Sequence, residues 1–338
     1  MQHLLNTLYL TNPDALLRKK DDALCVELDG KRVMSVPFHV LDGVVLFGHV
    51  GCSTAAMRAC GEHGVSIIML DEQGRYEGRF EGPTHGNVLL RKAQYMSALS
   101  QDECLRIARR FVVAKVHNTR VVLQRQARDY PELVRTLNPA IEYLRASGNS
   151  ANTALSADEL RGIEGDAAHA YFSMFGDLIR SKDMSFNGRN RRPARDPMNA
   201  MLSFFYTMLA RDVATGCETV GLDPQMGYLH TCRPGRASLA LDLMEELRAP
   251  VVDRFVLALA NRRQVDSDDF RMEGEACFFT DTALKRVLGL WQERKREQVF
   301  HPYLKEKVPM GLLPLLQPQL FARYLRGDLD DYPAYLSR

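Results

Sequence analysis

The hydrophobic pattern of this chain changes near residue 88, and that change limits the folds open to it. Before about residue 80, short and partly alternating apolar runs such as ALCVELD and SIIMLDE are separated by turn residues, which is typical of β-strands. From about Val88 onward, apolar residues recur with the period of amphipathic helices. The pattern therefore predicts an α+β protein in which a small β-rich domain at 1–80 and a linker at 81–87 precede a larger all-α domain at 88–338.

Turn and capping residues predict several element boundaries. Asp29 and Gly30, between two strand-like runs, predict a tight hairpin because both tolerate the positive φ angles that such a turn requires. Ser53 and Gly64 predict the start and the end of one helix within the β-rich part. Further helices are predicted near 88–98, 102–127, 131–146, 157–180, 197–214, 237–248, 250–260 and 281–298.

Two irregular stretches are predicted among these helices. The segment ASGNSANTALS at 146–156 is rich in residues that disfavour helices and predicts a loop, after which Ser156 caps the next helix. The segment at 181–197 is polar and rich in arginine, which predicts a long connection. Pro250 predicts the end of the helix that precedes it.

The composition is that of an ordinary globular protein and excludes few functions. The 338 residues are 46% hydrophobic and 25% charged with a net charge of +2, so a nucleic-acid partner must be argued from local clusters of charge. The 7 cysteines include no CxxC pair, which indicates reduced thiols. The opening residues lack a basic leader and no apolar run has the length of a bilayer span, so we expect a cytoplasmic protein without a membrane segment.

Three residues far apart in the chain have side chains that would suit one divalent-metal site. Glu164 lies between glycines in GIEGDAAHAYF, His230 lies in the turn-rich LDPQMGYLHTCRPGR, and Glu245 lies in the otherwise apolar SLALDLMEELRAP. One imidazole nitrogen and two carboxylates suit Mg²⁺ or Mn²⁺. Asp242 precedes Glu245 by about one helical turn on the same helix face. This set of ligands is typical of phosphoryl-transfer chemistry.

Each of these residues also has a plain structural interpretation, and the residues alone leave both interpretations open. Glu245, with Glu246 and Arg248, is consistent with a solvated charged face, because charged residues are usually exposed. His230 is consistent with a surface histidine bonded to a backbone carbonyl. The small residues around Glu164 are consistent with close packing between helices.

Other chemistries are disfavoured by the spacing of their residues. Cys217, His230 and Cys232 match no structural zinc spacing, and no second Cys/His pair follows them. The sequence also lacks a GxSxG motif and the glycine patterns of P-loop and dinucleotide-binding folds. Phosphoryl-transfer chemistry with a hard cation is therefore favoured over these alternatives.

Arginines cluster around the polar connection and around the histidine turn. Such clusters bind DNA backbones independently of sequence, although a solvated surface is the alternative, above all for the mixed charges of 285–296. The candidate DNA-binding residues are Arg189, Arg191, Arg192, Arg233 and Arg236, with Lys115 and Arg120 as weaker candidates.

Three longer segments, at 162–172, 189–209 and 221–254, together resemble the CRISPR-associated adaptation integrase, the metal-dependent DNA endonuclease of CRISPR spacer acquisition. They read GIEGDAAHAYF, RNRRPARDPMNAMLSFFYTML and GLDPQMGYLHTCRPGRASLALDLMEELRAPVVDR. The resemblance extends over essentially the whole chain, and the stretches MQHLLNTLYLTNPDALL and EGRFEGPTHGNVLLR are similar to the type I-C branch. It implies an N-terminal β-domain that forms a homodimer and a C-terminal helical catalytic domain.

The resemblance also implies roles for individual residues. Glu164, His230 and Glu245 correspond to the family's ligands for Mg²⁺ or Mn²⁺, with glutamate at a position that is often aspartate in relatives. Asp242 corresponds to an accessory acidic residue of the catalytic site. The implied partners are double-stranded DNA (protospacer fragments and repeat DNA), a second copy of the chain and a small companion protein of the adaptation module.

The implied reaction inserts short DNA fragments as new spacers. The 3′-hydroxyl of a fragment attacks a phosphodiester of the repeat, and no ATP is consumed because one phosphodiester replaces another. Two other classes fit the same residues. One is a metal-dependent phosphodiesterase acting on nucleotides or branched DNA, which a strand-transfer assay would separate, and the other is a catalytically silent DNA-binding scaffold, which would bind no metal at the three ligands.

Overall fold

The chain folds into two compact units that we describe separately. The computed structural model describes residues 7–41, 43–71, 76–83 and 88–338. One unit comprises residues 1–85 and 284–296, and the other comprises residues 86–283 and 297–338.

The predicted fold class is confirmed, since the first unit is rich in strands and the second is largely helical. The functional domains predicted at 1–80 and 88–338 stay predictions. The predicted linker at 81–87 lies mostly outside the described residues. No described helix combines the length and apolar character that crossing a bilayer requires.

The first unit contains two four-stranded sheets and the helix α1 (Thr54–Glu62). Its strands are β1 (Thr7–Leu10), β2 (Leu16–Lys20), β3 (Ala23–Leu28), β4 (Lys31–Pro37), β5 (Gly43–Phe47), β6 (Gly51–Cys52), β7 (Ser66–Leu70) and β8 (Tyr76–Phe80). One sheet has the order β1-β5-β7-β8, in which β1, β5 and β7 are parallel and β8 is antiparallel to β7. The other has the order β4-β3-β2-β6. Residues of both sheets and of α1 share one apolar core, whose burial stabilises the unit.

The boundary signals of the first unit are confirmed. Leu28 pairs with Lys31 across the hairpin of β3 and β4, and Asp29 and Gly30 between them have φ angles of 51° and 72°. The side chain of Ser53 accepts a hydrogen bond from the first turn of α1 and caps it as predicted. The strand β2 was not predicted, because its charged residues interrupt the apolar pattern.

The second unit is built around a long helix, α3, against which α4, α5 and α7 pack. Its helices are α2 (Val88–Leu99), α3 (Gln101–Asp129), α4 (Val134–Thr153), α5 (Ala157–Phe175), α6 (Pro197–Thr219), α7 (Ser238–Leu247), α8 (Arg254–Asn261) and α10 (Leu313–Leu325), and α9 (Asp281–Arg296) begins in this unit. Two small antiparallel pairs were not predicted by the all-α interpretation: β9 (Phe270–Glu273) with β10 (Ala276–Phe279), and β11 (Gln298–His301) with β12 (Glu306–Pro309).

The loop predicted at 146–156 is wrong over most of its length. Helix α4 continues through this stretch to Thr153, although glycine, asparagine and serine are weak helix formers. Leu144, Ser147 and Ala151 recur on one buried face of the helix, so packing stabilises it against the local preference. The predicted cap at Ser156 is confirmed, since its hydroxyl accepts a hydrogen bond from the backbone of Glu159 at 3.1 Å.

Pro250 ends α7 as an α-helix, but the chain does not leave helical geometry there. It continues as a π-helical turn, Arg248–Asp253, and then as α8. Proline has no N–H, so the carbonyl of Glu246 lacks its usual helical donor. Asn118 of α3 donates to this carbonyl instead, at 2.6 Å. Such turns are concentrated at functional sites, and this one adjoins the site described next.

Candidate active site

Glu245 of α7 is the centre of a buried charged cluster. Its side chain is 3% exposed, and its Oε2 lies 2.7 Å from Nζ of Lys115, which α3 contributes. The same ammonium forms an ion pair with Glu164 of α5. Arg248, one turn further along the chain, lies 3.3 Å from Oε1 of Glu245. Three separate helices thus bring two of the predicted metal-binding carboxylates onto one lysine.

Glu245 is held in its ionised form by these neighbours. Burial by itself raises the pKa of the carboxyl group, but Arg248, Lys115 and His230 together lower it to about 2. The carboxylate therefore carries its charge throughout the neutral range. An ionised carboxylate is the form that ligates a hard cation.

His230 faces Glu245 through one ring nitrogen and Asp242 through the other. Its Nε2 lies 3.9 Å from Oε1 of Glu245, and its Nδ1 lies 2.5 Å from Oδ1 of Asp242. Asp242 is fully buried and also accepts the backbone N–H groups of Tyr228, Leu229 and His230 at 2.6, 3.0 and 2.9 Å. With Nδ1–H donated to the carboxylate, Nε2 presents its lone pair toward Glu245. Asp242 therefore positions the histidine, and we assign it this supporting role.

The donor set fits a divalent cation by its chemistry. Glu164 and Glu245 supply hard carboxylate oxygens and His230 supplies a nitrogen. Oε2 of Glu245 is buried and lies 2.7 Å from the Lys115 ammonium, so this place already stabilises positive charge. Within the ranges that the structure describes, no three His, Cys, Asp or Glu side chains are arranged as a complete metal-binding group. The metal ligands therefore stay a proposal.

One plain interpretation of the sequence and one weaker DNA-binding candidate do not fit the structure. Glu245 and Glu246 are buried, as is most of the Arg248 side chain, so they form no solvated face. Lys115 is also buried and is paired with two carboxylates, so it is not available as a surface contact for DNA. No sequence signal indicated this bridging role, because α3 around Lys115 has an ordinary amphipathic pattern.

The face of α5 beside Glu164 is open. A Cβ atom added at Gly162 or Gly165 would meet no other atom within 4 Å, so these glycines do not serve close helix packing. The Glu164 side chain is 27% exposed. Asp166 and His169 are exposed on the same helix. Solvent therefore reaches Glu164 from this side.

The arginines of the 189–195 cluster have different environments. Arg189 is half-buried, and its guanidinium donates to Asn199 Oδ1 at 2.7 Å and to Ser203 Oγ at 3.1 Å, both on α6. Arg191 and Arg192 are exposed and form no ion pair with any acidic residue in the described part of the chain. Arg189 thus anchors the loop that carries the two exposed arginines.

The other predicted basic residues also differ in exposure. Arg233 is exposed and Arg236 is half-buried, both in the segment between His230 and α7. Arg120, a weaker candidate, is half-buried on α3, and its Nε is buried without a hydrogen-bond partner. Arg233 is therefore more exposed to solvent than Arg236.

A tyrosine ring connects the carboxylate cluster with the arginine loop. The guanidinium carbons of Arg248 and Arg189 lie 4.7 and 5.6 Å from the centroid of the Tyr206 ring. The Tyr206 hydroxyl donates to Asp253, and so does Tyr171 at 3.0 Å. Sequence reasoning missed this network, because Tyr171 and Tyr206 lie in apolar helices where a core role was the simplest expectation.

Asp253 makes the stability of the folded protein depend on pH. Burial raises the pKa of its carboxyl group from 3.8 to about 6, against the opposing effects of Tyr206, Tyr171, Arg248 and Arg189. The folded protein therefore binds more protons than the unfolded chain between about pH 4 and 6, and stability falls as pH rises through this window.

We expect the wild-type protein to lose about 3 kcal/mol of unfolding free energy relative to Asp253→Asn between about pH 4 and 6. Urea unfolding of both proteins across this range measures the difference. The variant retains the shape of the side chain and cannot ionise, so subtraction removes the contribution of other titrating groups. Parallel stability profiles for the two proteins would contradict the assignment.

A second buried carboxyl group, Glu246, holds the segment 332–338 against α7. It accepts hydrogen bonds from the Tyr332 hydroxyl at 2.5 Å, the Tyr335 backbone at 2.7 Å and Gln317 at 2.8 Å. Burial raises its pKa to about 7, against the lowering effect of these donors. The segment is therefore packed against the fold.

Known proteins are similar to this chain in sequence and in fold. The family model described as CRISPR associated protein Cas1 matches residues 8–293. The CRISPR-associated endonuclease Cas1 2 of Rhodospirillum rubrum is 48% identical over 347 residues, covering 99% of each chain. The CRISPR-associated endonuclease Cas1 1 of Chlorobaculum tepidum is 41% identical over 343 residues, covering 100% of each. The chain belongs to the Cas1 family of CRISPR-associated proteins.

Solved structures agree with this assignment. A Cas1 protein from Thermotoga maritima has a TM-score of 0.82 at 25% identity, covering 96% of this chain and 97% of that one. A chain of a Cas6–RT–Cas1–Cas2 complex has a TM-score of 0.84 at 23% identity, covering 99% of this chain and 36% of that one. A casposase bound to integration product has a TM-score of 0.83 at 24% identity, covering 98% and 94%. The last two show the shared fold alone.

Proposed function

We propose that this chain is a metal-dependent DNA endonuclease and integrase that inserts short DNA fragments as new spacers into a CRISPR array. The observation that carries the proposal is the convergence of Glu164, His230 and Glu245, with Glu245 ionised and buried. Its relatives at 48% and 41% identity are named CRISPR-associated endonucleases. The same fold occurs in a casposase bound to integration product.

The reaction exchanges one phosphodiester for another. The 3′-hydroxyl oxygen of the fragment forms a bond to a phosphorus atom of the repeat. The bond from that phosphorus to the 3′-oxygen of the preceding repeat nucleotide breaks. The attacking hydroxyl loses its proton and the leaving oxygen gains one, so no ATP is needed. Water in place of the hydroxyl would give strand cleavage by the same site.

Each residue of the cluster has a proposed part in this reaction. Glu164, His230 and Glu245 would hold Mg²⁺ or Mn²⁺, which when bound supplies stabilisation of the negative charge on the phosphoryl oxygens. Asp242 keeps the Nε2 of His230 directed at Glu245. Lys115 keeps the two carboxylates close together.

The exposed arginines are proposed to bind the DNA backbone. Arg191, Arg192 and Arg233 are solvent-accessible, and the loop of the first two is linked to the cluster through Arg189 and Tyr206. Arg236 is a candidate with less exposure. A basic loop beside the cluster would hold a phosphodiester near the reacting groups.

The biological setting is also a proposal. The protein would act in the cytoplasm, as a homodimer through its β-rich unit and with a small companion protein. Strand β4 supports self-association, because Val33 and Met34 are 55% and 49% exposed at an edge of its sheet. The Cas6–RT–Cas1–Cas2 complex supports the companion. The segments at residues 1–17 and 77–91 resemble the type I-C branch of the family, and this resemblance supports placing the chain in that branch.

Strand transfer into a plasmid that carries a repeat array tests the function. The labelled fragment is expected to become covalently joined to the repeat in the presence of Mn²⁺ and the companion protein, and a fragment with a 3′-deoxy end is expected not to join. Cleavage without joining would identify a phosphodiesterase. Binding without either reaction would identify a scaffold, and both results would reject the proposal.

We expect the double substitution Arg191→Ala/Arg192→Ala to weaken DNA binding about equally for all sequences and to reduce the salt slope of binding by about 2. The reason is that each exposed guanidinium is expected to neutralise one phosphate. Fluorescence anisotropy over a range of salt concentrations measures the slope.

Arg195→Ala is the matched control for this prediction. Arg195 lies in the same segment, but its guanidinium is paired with Glu275 at 3.0 Å. Its substitution is expected to change the slope less. An unchanged slope in the double variant would exclude the loop from the DNA interface.

A further inference from the structure

The turn at residues 221–228, which leads to His230, is held by a helix that the proposed reaction does not use. Gln94, in the middle of α2, is fully buried. Its Nε2 donates to the carbonyl oxygens of Asp223 and Met226 at 2.8 and 3.2 Å, and its Oε1 accepts the backbone N–H of Asp223 at 2.9 Å. One side chain thus satisfies backbone groups on both sides of the turn.

Neighbouring residues of α2 bind the same turn. The Tyr95 hydroxyl donates to Oδ2 of Asp223 at 2.7 Å, and Nε of Arg91 donates to the carbonyl of Gly221 at 3.2 Å. In return, the Tyr228 hydroxyl donates to the backbone carbonyl of Gln94 at 3.2 Å. The helix and the turn are therefore joined over the whole stretch between residues 221 and 228.

The far end of the turn is fixed on α7. Asp242 accepts the N–H groups that end the turn, and the carbonyl of Pro224 accepts the backbone N–H of Leu239 at 2.9 Å. A Cβ atom at Gly227 would lie 2.7 Å from Cβ of Ser238, so the backbone approaches α7 closely there. The turn is thus clamped between α2 and α7, and His230 follows it directly.

We propose that Gln94 is a positioning residue, which sets the place of the His230 ring by fixing the preceding turn. The inference rests on the proposed function for its catalytic consequence. A glutamine fits this place because the turn presents one N–H and two carbonyl groups, which need an acceptor and a donor on the same side chain. Glutamate has the same shape but offers no donor at neutral pH.

The substitution Gln94→Glu tests the inference. It removes both bonds from Nε2 and sets a carboxylate against two carbonyl oxygens, while the bond from the Asp223 N–H can persist. Backbone amide exchange at Tyr228, Leu229 and His230 is expected to become about tenfold faster. The apparent affinity for Mn²⁺ is expected to fall about 10- to 100-fold, as for other residues that orient a ligand.

The kinetic signature separates positioning from general damage. We expect kcat for strand transfer to fall at least about tenfold, while KM for DNA stays unchanged because the exposed arginines are untouched. Gln101→Glu is the matched control, since it makes the same change at an exposed position on α3. This control is expected to behave as the wild type in all three measurements.

A second variant keeps the test decisive where Gln94→Glu folds poorly. Tyr95→Phe removes one hydroxyl from a side chain that is 37% exposed, and it is expected to give smaller changes in the same direction. Unchanged exchange and Mn²⁺ affinity in every one of these variants that folds would overturn the inference. Faster exchange throughout the helical unit, equal to that of the turn, would also overturn it.

The two proposals fail in different ways. A wild-type protein that joins no fragment to the repeat would end the proposed function, but the amide exchange of the turn would still decide whether Gln94 holds it. Normal strand transfer by Gln94→Glu would leave the function intact and reject the positioning role.

Discussion

Replacing His230 with alanine is expected to lower the rate of strand transfer by on the order of a thousandfold while duplex DNA binds as before. Among the nitrogen groups beside Glu245 in the described part of the site, the imidazole, at 3.9 Å, can offer a lone pair to a metal, whereas the cationic Lys115 and Arg248 cannot. Loss of a ligand removes several kcal/mol of charge stabilisation in the transition state, and about 4 kcal/mol corresponds to this factor. Labelled-fragment joining measures the rate, and anisotropy measures binding.

His169→Ala is the matched control for this experiment. His169 is exposed on α5, close in sequence to Glu164, and is no part of the cluster. Its substitution is expected to leave strand transfer within about twofold of the wild type, as is usual for exposed positions. Full integration by His230→Ala in Mn²⁺ would refute the proposed ligand set. Glu164→Gln is expected to behave like His230→Ala.

Asp242→Asn is expected to lower the unfolding free energy by about 3 to 5 kcal/mol, the largest loss of stability that we predict for one residue. The carboxylate is 0% exposed and accepts three backbone N–H groups and the His230 ring. An amide has one oxygen, and its NH₂ group would face donors that then lack an acceptor. Urea unfolding at neutral pH measures the loss.

Asp166→Asn makes the same change on the exposed face of α5. It is expected to alter the unfolding free energy by less than about 0.5 kcal/mol. A comparable loss in both variants, or a loss below about 1 kcal/mol for Asp242→Asn, would show that Asp242 does not hold the turn. Because Asp242 also orients the His230 ring, we expect the Asp242→Asn protein that still folds to give slower strand transfer.

Much of the architecture could be predicted from local patterns. The hairpin at Asp29 and Gly30 and the helix begun by Ser53 follow from backbone preferences within a few residues. The loop predicted at 146–156 was wrong because α4 is stabilised by side chains that it buries against other helices. The strand pairs at 270–279 and 298–309 were missed because each is short and gives little periodic signal.

The residues of the site were predicted less completely than the fold. The sequence indicated Glu164, His230 and Glu245 by residue type and by resemblance. The structure pairs both glutamates with Lys115 and places the His230 ring beside Glu245, and the role of the three residues as metal ligands stays a prediction. The sequence did not indicate that Lys115 would lie between the two carboxylates. Exposure also separated residues that look alike in sequence, since Arg189 anchors a loop whereas Arg191 is free in solvent.

The sequence by itself determined the order of β-rich and helical parts, the caps and turns, and the chemical types available for a metal site, because these depend on interactions between near neighbours in the chain. Only the tertiary structure decided which charges are buried together and which side chains hold them. Glu245 meets Lys115, and Gln94 meets Asp223, across more than a hundred residues of chain. Such pairs arise from helix packing and leave no periodic trace in sequence.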